Sequence, residues 1–255
     1  PSSIKVFAIM QLSYKWFIGI FLFIISLIFF DVLSHLFVSN KVIVHFFQIT
    51  VEKNLPTLFS TLQLMLAGFL LQFIYKQHHL SEKKQSYYWK YLSYIFYFLA
   101  FDEWFTVHDI IGSEVSKYLG FFGDIFGWTA FYLVLMILFV IWSIKFLLQL
   151  PKKTAFYFIL SGFLFLVGAI GFELLNTDGF QQFFNLSFSN SAAYNIGVIE
   201  ESLEMFGIFI FNITLFQFIK ATYLFNYINL NATLFASSSI FFILDIIITY
   251  IVIYS

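Results

Sequence analysis

Long apolar segments alternate with short polar connections along the whole chain. Seven of these segments reach about 20 residues, the length at which an α-helix crosses the hydrocarbon of a bilayer. They cover residues 14–38, 56–75, 88–108, 125–148, 154–175, 196–219 and 234–254. The pattern predicts an all-α, polytopic membrane bundle of about seven transmembrane helices, formed by a single domain over residues 1–255.

The composition agrees with this pattern. Hydrophobic residues make up 61% of the 255 positions and charged residues 11%. A soluble domain of this size exposes too much of its periphery to hide so much apolar surface. Cysteine is absent, which excludes disulfides, thiolate metal sites and cysteine nucleophiles. Arginine is absent as well, and the net charge of −1 offers no basic surface for nucleic acid.

The lysines predict the orientation in the membrane, because cytoplasmic loops are enriched in basic residues. Under a seven-span alternation, ten lysines fall on one side and three on the other. The ten are Lys5, Lys15, Lys76, Lys83, Lys84, Lys90, Lys145, Lys152, Lys153 and Lys220, against Lys41, Lys53 and Lys117. We therefore expect a cytoplasmic N-terminus. The amphipathic connection over 41–53 either lies in the membrane interface or extends the first span.

Acidic residues sort to the opposite, outer side. Loop acids such as Glu52 and Glu114 are expected to be solvated and to have no role in a site. Seven others lie at membrane depth, namely Asp31, Asp102, Glu103, Glu173, Glu200, Glu201 and Glu204. Ionisable groups in hydrocarbon are costly, usually paired and usually functional. Together these seven predict an acidic bowl that opens outward and attracts cations.

The sixth segment carries its acids on one face. At about 100° per residue, Glu200 and Glu204 lie about 40° apart, and Glu201 lies about 60° from Glu204. Like charges this close need a cation or shared protons in a low-dielectric site. A helix that starts near Asn195 is an alternative explanation for Glu200 and Glu201, since acids in a first turn suit the helix dipole. Glu204 lies too deep for that explanation.

The third segment ends in a second polar group. On a straight helix Asp102 and Asp109 are about 20° apart, whereas His108 is about 120–140° from Asp102 and Glu103. All four can face one ion if the helix unwinds near Thr106, or if the segment is central and surrounded. The alternative is an outer helix end whose His108 and Asp109 are solvated.

Two further segments contribute. Glu173 closes the fifth, after small residues that let a neighbouring helix approach closely. Asp31 and His35 share one face of the first at i, i+4 spacing, which suits a metal pair and a surface salt bridge equally well. Carboxylates with imidazole favour hard or borderline divalent cations such as Fe, Mn or Zn. The expected ligands are His35, Asp102, Glu103, His108, Asp109, Glu173, Glu200, Glu201 and Glu204, with Asp102, Glu103 and Glu204 as catalytic candidates.

At these residues the chain resembles a family of uncharacterised bacterial and archaeal multispanning membrane proteins. That family carries Asp-Glu-x4-His-Glu, Leu-Glu or Met-Glu, and Glu-Glu-x-x-Glu-Met in three spans. The counterparts here are Asp102-Glu103-x4-His108-Asp109, Phe172-Glu173-Leu174 and Glu200-Glu201-x-x-Glu204-Met205. Asp109 stands where the family has Glu. The resemblance implies a prokaryotic inner (plasma) membrane and no known activity. Seven spans also look like the topology of ceramidase-related membrane hydrolases, whose histidine-rich zinc motifs have no counterpart here.

Three functions remain open. The first is a metal-dependent hydrolase or oxidoreductase acting on a lipid or another membrane substrate, with a carboxylate as general base. The second is an accessory or structural subunit with protein partners in the membrane. The third is a proton- or cation-coupled transporter, in which the acids form a relay. Whether the protein is an enzyme is not decided by the sequence.

Overall fold

The computed structural model describes residues 2–80, 86–126 and 129–222. These described residues are mostly helical and form no strand. The α-helices are α1 (Ser2–Phe37), α2 (Lys41–Phe47), α3 (Leu55–Leu80), α4 (Ser86–Phe105), α5 (Val107–Leu119), α6 (Phe121–Phe126), α7 (Thr129–Leu147), α8 (Lys152–Leu166), α9 (Glu173–Asn176), α10 (Asp178–Phe183) and α11 (Asn190–Thr222). A π-helical segment, Val167–Phe172, joins α8 to α9. The all-α prediction is therefore confirmed for the described residues.

Five helical stretches are long and apolar enough to cross a membrane: Lys15–Phe37, Leu55–Leu80, Thr129–Leu147, Lys152–Asn176 and Asn190–Thr222. They correspond to five of the seven predicted spans and indicate an integral membrane protein. The predicted third span corresponds to α4, which is not among the five; its sequence is rich in tyrosine and carries Lys90, Asp102 and Glu103. The predicted seventh span, 234–254, lies outside the described residues.

The connection over 41–53 is neither a plain loop nor an extension of α1. It begins with the separate helix α2, whose first turn is capped because the Val42 N–H donates to Asn40 Oδ1 at 3.0 Å. The segment after α2 returns the chain to the start of α3. Asn54 fixes this return: its Nδ2 donates to the His45 carbonyl at 3.0 Å, and its Oδ1 accepts from the Thr57 N–H at 3.2 Å.

The chain divides into two compact units. Tyr14–Leu215 form the larger one, and its buried apolar residues make two clusters. The first joins Ile24 and Leu27 of α1 to Met205 of α11, with Ile49 from the α2–α3 connection. The second joins α3, α4 and α11 through Leu64, Ala100 and Ile208. Pro1–Ser13 and Phe216–Ser255 form the other unit, in which the described residues 2–13 and 216–222 are helical.

Small residues set the distance between α11 and the α8 region. A Cβ on Gly207 would lie 2.9 Å from the Ser161 carbonyl oxygen, and a Cβ on Gly168 would lie 2.7 Å from the Glu200 carbonyl oxygen. Both contacts are with backbone, so neither position has room for a side chain. Close backbone approach at glycine is how membrane helices gain packing energy without a hydrophobic driving force. Here it brings the π-helical segment against the acidic turn of α11.

Candidate functional site

A break in the helical path after α4 separates Asp102 and Glu103 from His108. The helix ends at Phe105, and α5 begins at Val107. Thr106, between them, has φ 54° and ψ 41°, the left-handed conformation, and its side chain is buried. A β-branched residue in this region is strained by about 1–3 kcal/mol, and such strain collects at functional sites. Unwinding near Thr106 is one of the two conditions under which the sequence analysis expected these acids and His108 to face a common ion.

The break turns His108 back onto Asp102. The His108 N–H donates to Asp102 Oδ1 at 2.6 Å, so the carboxylate satisfies a donor in the first turn of α5. The second carboxylate oxygen, Oδ2, lies 3.3 Å from His108 Nδ1. Asp102 is buried and holds both the backbone and the ring of His108. This contact orients the other ring nitrogen, Nε2, away from Asp102.

His108 Nε2 faces two more carboxylates. Glu52 Oε1 lies 3.6 Å from it and Asp109 Oδ1 lies 3.8 Å from it. One ligand atom from each of the three residues falls within 4.8 Å of the others. Two ligands held at 2.0–2.2 Å by a tetrahedral ion would be about 3.4 Å apart, so the spacing fits one divalent cation after small side-chain shifts. We call Glu52, His108 and Asp109 the outer group.

Glu52 was expected to be a solvated loop acid, and the structure does not place it so. Its side chain is 40% exposed and lies against His108. Lys53, the next residue, has φ 60°, a second left-handed residue beside the site. Asn54 then ties the segment to the preceding α2 region and to the start of α3. The sequence offered no signal for Glu52, because nothing in the spacing of a loop acid shows which helix end it returns to.

The charges of the outer group shift its own titration. Burial raises the pKa of Glu52 above its usual 4.5, and the Asp109 carboxylate raises it further. Burial lowers the pKa of the His108 imidazole, but the hydrogen bond and charge of Asp102, with the charges of Asp109 and Glu52, raise it more, so the net shift is upward. Each negative charge thus favours a proton or another cation at its neighbours.

A second set of carboxylates lies within electrostatic range of the outer group. Glu103 of α4 interacts electrostatically with His108, Glu52 and Asp102. On α11, Glu201 interacts with Glu103, Glu200, Glu52 and Glu173, and Glu204 interacts with Glu201, Glu103, Glu200 and Glu173. We call Glu103, Glu173, Glu200, Glu201 and Glu204 the inner group. Its members are partly buried and come from three regions of the chain.

The π-helical segment places Glu173 in the inner group. Its glycine, Gly168, lies against the Glu200 backbone and the Glu204 side chain. Glu173 follows the segment directly, and its carboxyl group interacts with that of Glu200. Two carboxylates at close range repel each other, so a shared proton or a bound cation would stabilise the pair. Single-turn π-helices are frequent at functional sites.

Asp31 and His35 form a separate contact with α11. Asp31 is fully buried, its Oδ1 lies 3.3 Å from His35 Nδ1, and its Oδ2 accepts a hydrogen bond from the Tyr194 hydroxyl at 2.8 Å. The rings of His35 and Tyr194 are 4.5 Å apart. The structure thus places His35 with Asp31 and Tyr194, and the outer group takes its imidazole from His108. Tyr194 had no distinguishing signal in a chain with 15 tyrosines.

The geometry sorts the predicted residues into distinct positions. His108 and Asp109 lie in the outer group with Glu52, and Asp102 contacts the opposite side of the imidazole. Glu103, Glu173, Glu200, Glu201 and Glu204 lie in the inner group. The roles of these residues as ligands or catalysts stay predictions.

The described structure is that of a helical membrane protein with a carboxylate and histidine cluster beside its apolar spans. Residues 16–218 match the family described as Domain of unknown function (DUF8692), and the chain belongs to this family. No curated protein and no solved structure matches the chain. Membership in an uncharacterised family is thereby confirmed, while the motifs and the prokaryotic origin stay expectations.

Proposed function

We propose that this protein is an integral membrane metalloprotein that binds a divalent cation through Glu52, His108 and Asp109. One observation carries the proposal: His108 Nε2 faces two carboxylates, while Asp102 occupies the other side of the ring. A carboxylate that holds the second nitrogen of a metal-binding imidazole is the usual outer-shell arrangement, and it raises the basicity of the ligand. One nitrogen and two carboxylate donors suit Fe, Mn or Zn.

The inner group supports an enzymatic role for this site. A bound ion would supply a water of near-neutral pKa, the chemistry of metal-assisted hydrolysis. Glu103 interacts with both His108 and Glu52, which makes it the carboxylate best placed to accept a proton as general base. Glu204, Glu201 and the Glu173–Glu200 pair extend this proton-holding network away from the outer group. The reaction we propose is a metal-dependent hydrolysis or oxidation of a lipid or another membrane substrate.

The proposal includes the topology predicted from the lysines. Seven spans with a cytoplasmic N-terminus put α5 and the α2–α3 connection outside, so the site would face the outside of a prokaryotic inner membrane. In this arrangement α4 is also a span, packed along α3 and α11 through Leu64, Ala100 and Ile208. Polar residues at membrane depth that face a bundle interior are tolerated and are commonly functional.

A transporter coupled to protons or cations is the second candidate, favoured by the interacting carboxyl groups of Glu173 and Glu200. Further along α11, Asn212 is buried and its Nδ2 donates to the Gln63 carbonyl at 3.0 Å. Polar side chains thus continue between α3 and α11 beyond the acidic turn. Proteoliposomes separate the two candidates: a transporter moves a cation or pH gradient across the vesicle, and the proposed enzyme leaves such gradients unchanged.

Metal analysis of the purified protein tests the main proposal. We expect about one divalent ion for each chain in the wild type, and a loss of at least tenfold in affinity for His108→Ala and Glu52→Gln, as removal of a ligand or of its orienting partner typically costs 10–100-fold. Glu114→Gln is the matched control. Glu114 is an exposed acid of α5, the helix that carries His108, and its carboxylate pairs with Lys117 at 2.6 Å. Equal metal content in all four proteins would refute the site.

A further inference from the structure

The carboxylate of Asp31 lies where three parts of the chain meet. It belongs to α1, it accepts a hydrogen bond from the Tyr194 hydroxyl of α11 at 2.8 Å, and it interacts with the backbone of Ile49 in the α2–α3 connection. Asp31 is fully buried, although its neighbours Phe30 and Val32 are exposed. An ionisable group placed in this way is expensive at membrane depth and is usually retained for function.

Ile49 needs an acceptor for its backbone N–H at this place. In a continued α2 helix its partner would be the carbonyl of His45, four residues earlier. That carbonyl accepts from Asn54 Nδ2 at 3.0 Å, and the chain has already left the helix at Ile49. A buried backbone N–H is almost always paired, because leaving it unpaired is costly. The Asp31 carboxylate supplies an acceptor for it.

The side chains of the connection fix the same point. Ile49 is 2% exposed and belongs to a buried cluster with Leu27 of α1. Leu27 and Asp31 are four residues apart and therefore share one face of that helix. The next residue, Thr50, lies against α11, where a Cβ on Gly197 would be 3.0 Å from its methyl carbon. The connection is thus held between α1 and α11.

This attachment lies close to Glu52 along the chain. Glu52 follows Ile49 by three residues, which span at most about 11 Å. On its other side, Asn54 ties the connection to the first turn of α3. Glu52 itself is 40% exposed, and its Oε1 lies 3.6 Å from His108 Nε2. Because so exposed a side chain gains little from its own burial, its place beside His108 depends on where the connection is fixed.

We propose that Asp31 is a positioning residue for the outer group: it anchors the α2–α3 connection so that Glu52 contacts His108. This inference rests on the proposed function, because that contact completes the metal site. Asp31 acts through Glu52, since the other two members of the outer group are carried by α5. Its own carboxylate is surrounded by Tyr194, Ile49 and His35, whose Nδ1 lies 3.3 Å from Asp31 Oδ1.

Mn²⁺ affinity in three backgrounds tests this role. Isothermal titration of the full chain in detergent measures the effect of Asp31→Ala in the wild type, in Asp109→Ala and in Glu52→Ala. We expect a loss of about tenfold in the first two backgrounds, the lower end of the 10–100-fold effect of groups that orient a ligand. In Glu52→Ala the loss should vanish to within about twofold, because no side chain is left to position.

A residue that merely stabilises the fold would lower the affinity in all three backgrounds. The same loss in all three, or no loss in the wild type, therefore overturns the inference. If Asp31→Ala does not fold, Asp31→Leu fills the space of the carboxylate without restoring an acceptor, and the same criteria apply to it.

Hydrogen–deuterium exchange of the metal-free protein reads the anchor independently. We expect faster exchange over residues 48–53 in Asp31→Ala than in the wild type. Ser34→Ala is the matched control, because Ser34 is buried on the same face of α1 and its hydroxyl donates within that helix, to the Asp31 carbonyl at 2.9 Å. This control should exchange and bind Mn²⁺ as the wild type does.

The two measurements separate the anchor from the metal site. Unchanged exchange over 48–53 in Asp31→Ala, or an equal increase in Ser34→Ala, overturns the inference. A wild type that binds no Mn²⁺ refutes the proposed function, and the exchange then decides by itself whether Asp31 holds the connection.

Discussion

Thr106 shapes the site more than any neighbouring residue, because its left-handed backbone turns His108 onto Asp102. The conformation predicts an inverted order of stability for small substitutions. In an α-helix, glycine is less stable than alanine by about 1 kcal/mol. In the left-handed region alanine has the steric penalty of about 1–2 kcal/mol and glycine does not. We therefore expect Thr106→Gly to be more stable than Thr106→Ala, by about 1 kcal/mol.

Thermal unfolding in detergent measures this difference. Tyr94, an exposed residue of α4, supplies the comparison, and there the alanine variant should be the more stable one. Metal affinity should survive in Thr106→Gly, because the turn is kept. If alanine is the better residue at both positions, α4 and α5 form one continuous helix and His108 does not reach Asp102.

The outer group also predicts how metal binding depends on pH. A ligand must be deprotonated to bind, so protons and the metal ion compete. The pKa of Glu52 is raised above 4.5 by burial and by Asp109, and the pKa of His108 is raised by Asp102 and its acidic neighbours. Both shifts have the same sign: the protonated forms persist to higher pH. We expect the affinity for Mn²⁺ to fall on acidification well before an ordinary glutamate would titrate.

Isothermal titration with Mn²⁺ between pH 5 and pH 8 checks this dependence. Salt at about 0.15 M screens the long-range effect of distant charges on the measured affinity. Asp102→Asn removes the charge that raises the pKa of His108 and should move the midpoint to lower pH. An affinity that is constant over this range would show that neither Glu52 nor His108 is a ligand.

At the scale of the elements, the contact between the π-helical segment and α11 determines how the carboxyl groups of the inner group are placed relative to one another. Gly168→Ala would put a Cβ 2.7 Å from the Glu200 carbonyl oxygen and 2.9 Å from the Glu204 side chain. Since a backbone atom cannot rotate away, the helices must separate, and overpacking of this kind costs about 1–3 kcal/mol. We expect a lower thermal stability and a weaker interaction between the carboxyl groups of Glu173 and Glu200.

Gly162→Ala on α8 is the control for this variant. A Cβ there meets nothing within 4 Å, so alanine should be neutral or stabilising by up to about 1 kcal/mol. The stretch of the Glu173–Glu200 carboxyl pair in infrared spectra reports the second effect. Equal stability of the two variants would mean that the π-helical segment does not pack on α11 as the structure places it.

The sequence predicted these elements unequally, for physical reasons. Spans follow from hydrophobicity alone, so five of the predicted segments correspond to long apolar helices. Small residues before Glu173 predicted a close neighbour for the fifth span without showing which helix it is. The angular mismatch of His108 predicted either a break near Thr106 or a central, surrounded span. Contacts that join distant parts of the chain left no trace in spacing: Glu52 with His108, and Tyr194 with Asp31, depend on tertiary packing.

At the scale of the whole molecule, the orientation in the membrane decides which compartment reaches the site. The predicted seven spans with a cytoplasmic N-terminus would place position 84, between the second and third spans, inside, and position 187, between the fifth and sixth, outside. The charge pattern is the physical reason, because ten of the 13 lysines gather on the first side.

The chain contains no cysteine, so Lys84→Cys and Ser187→Cys each introduce a single thiol. A membrane-impermeant maleimide applied to intact cells should label the cysteine at 187 and reach the one at 84 after lysis alone. Labelling of both cysteines from the same side would mean that an even number of spans, and not the predicted three, separates them. The predicted alternation would then be wrong, and the site could open to the cytoplasm.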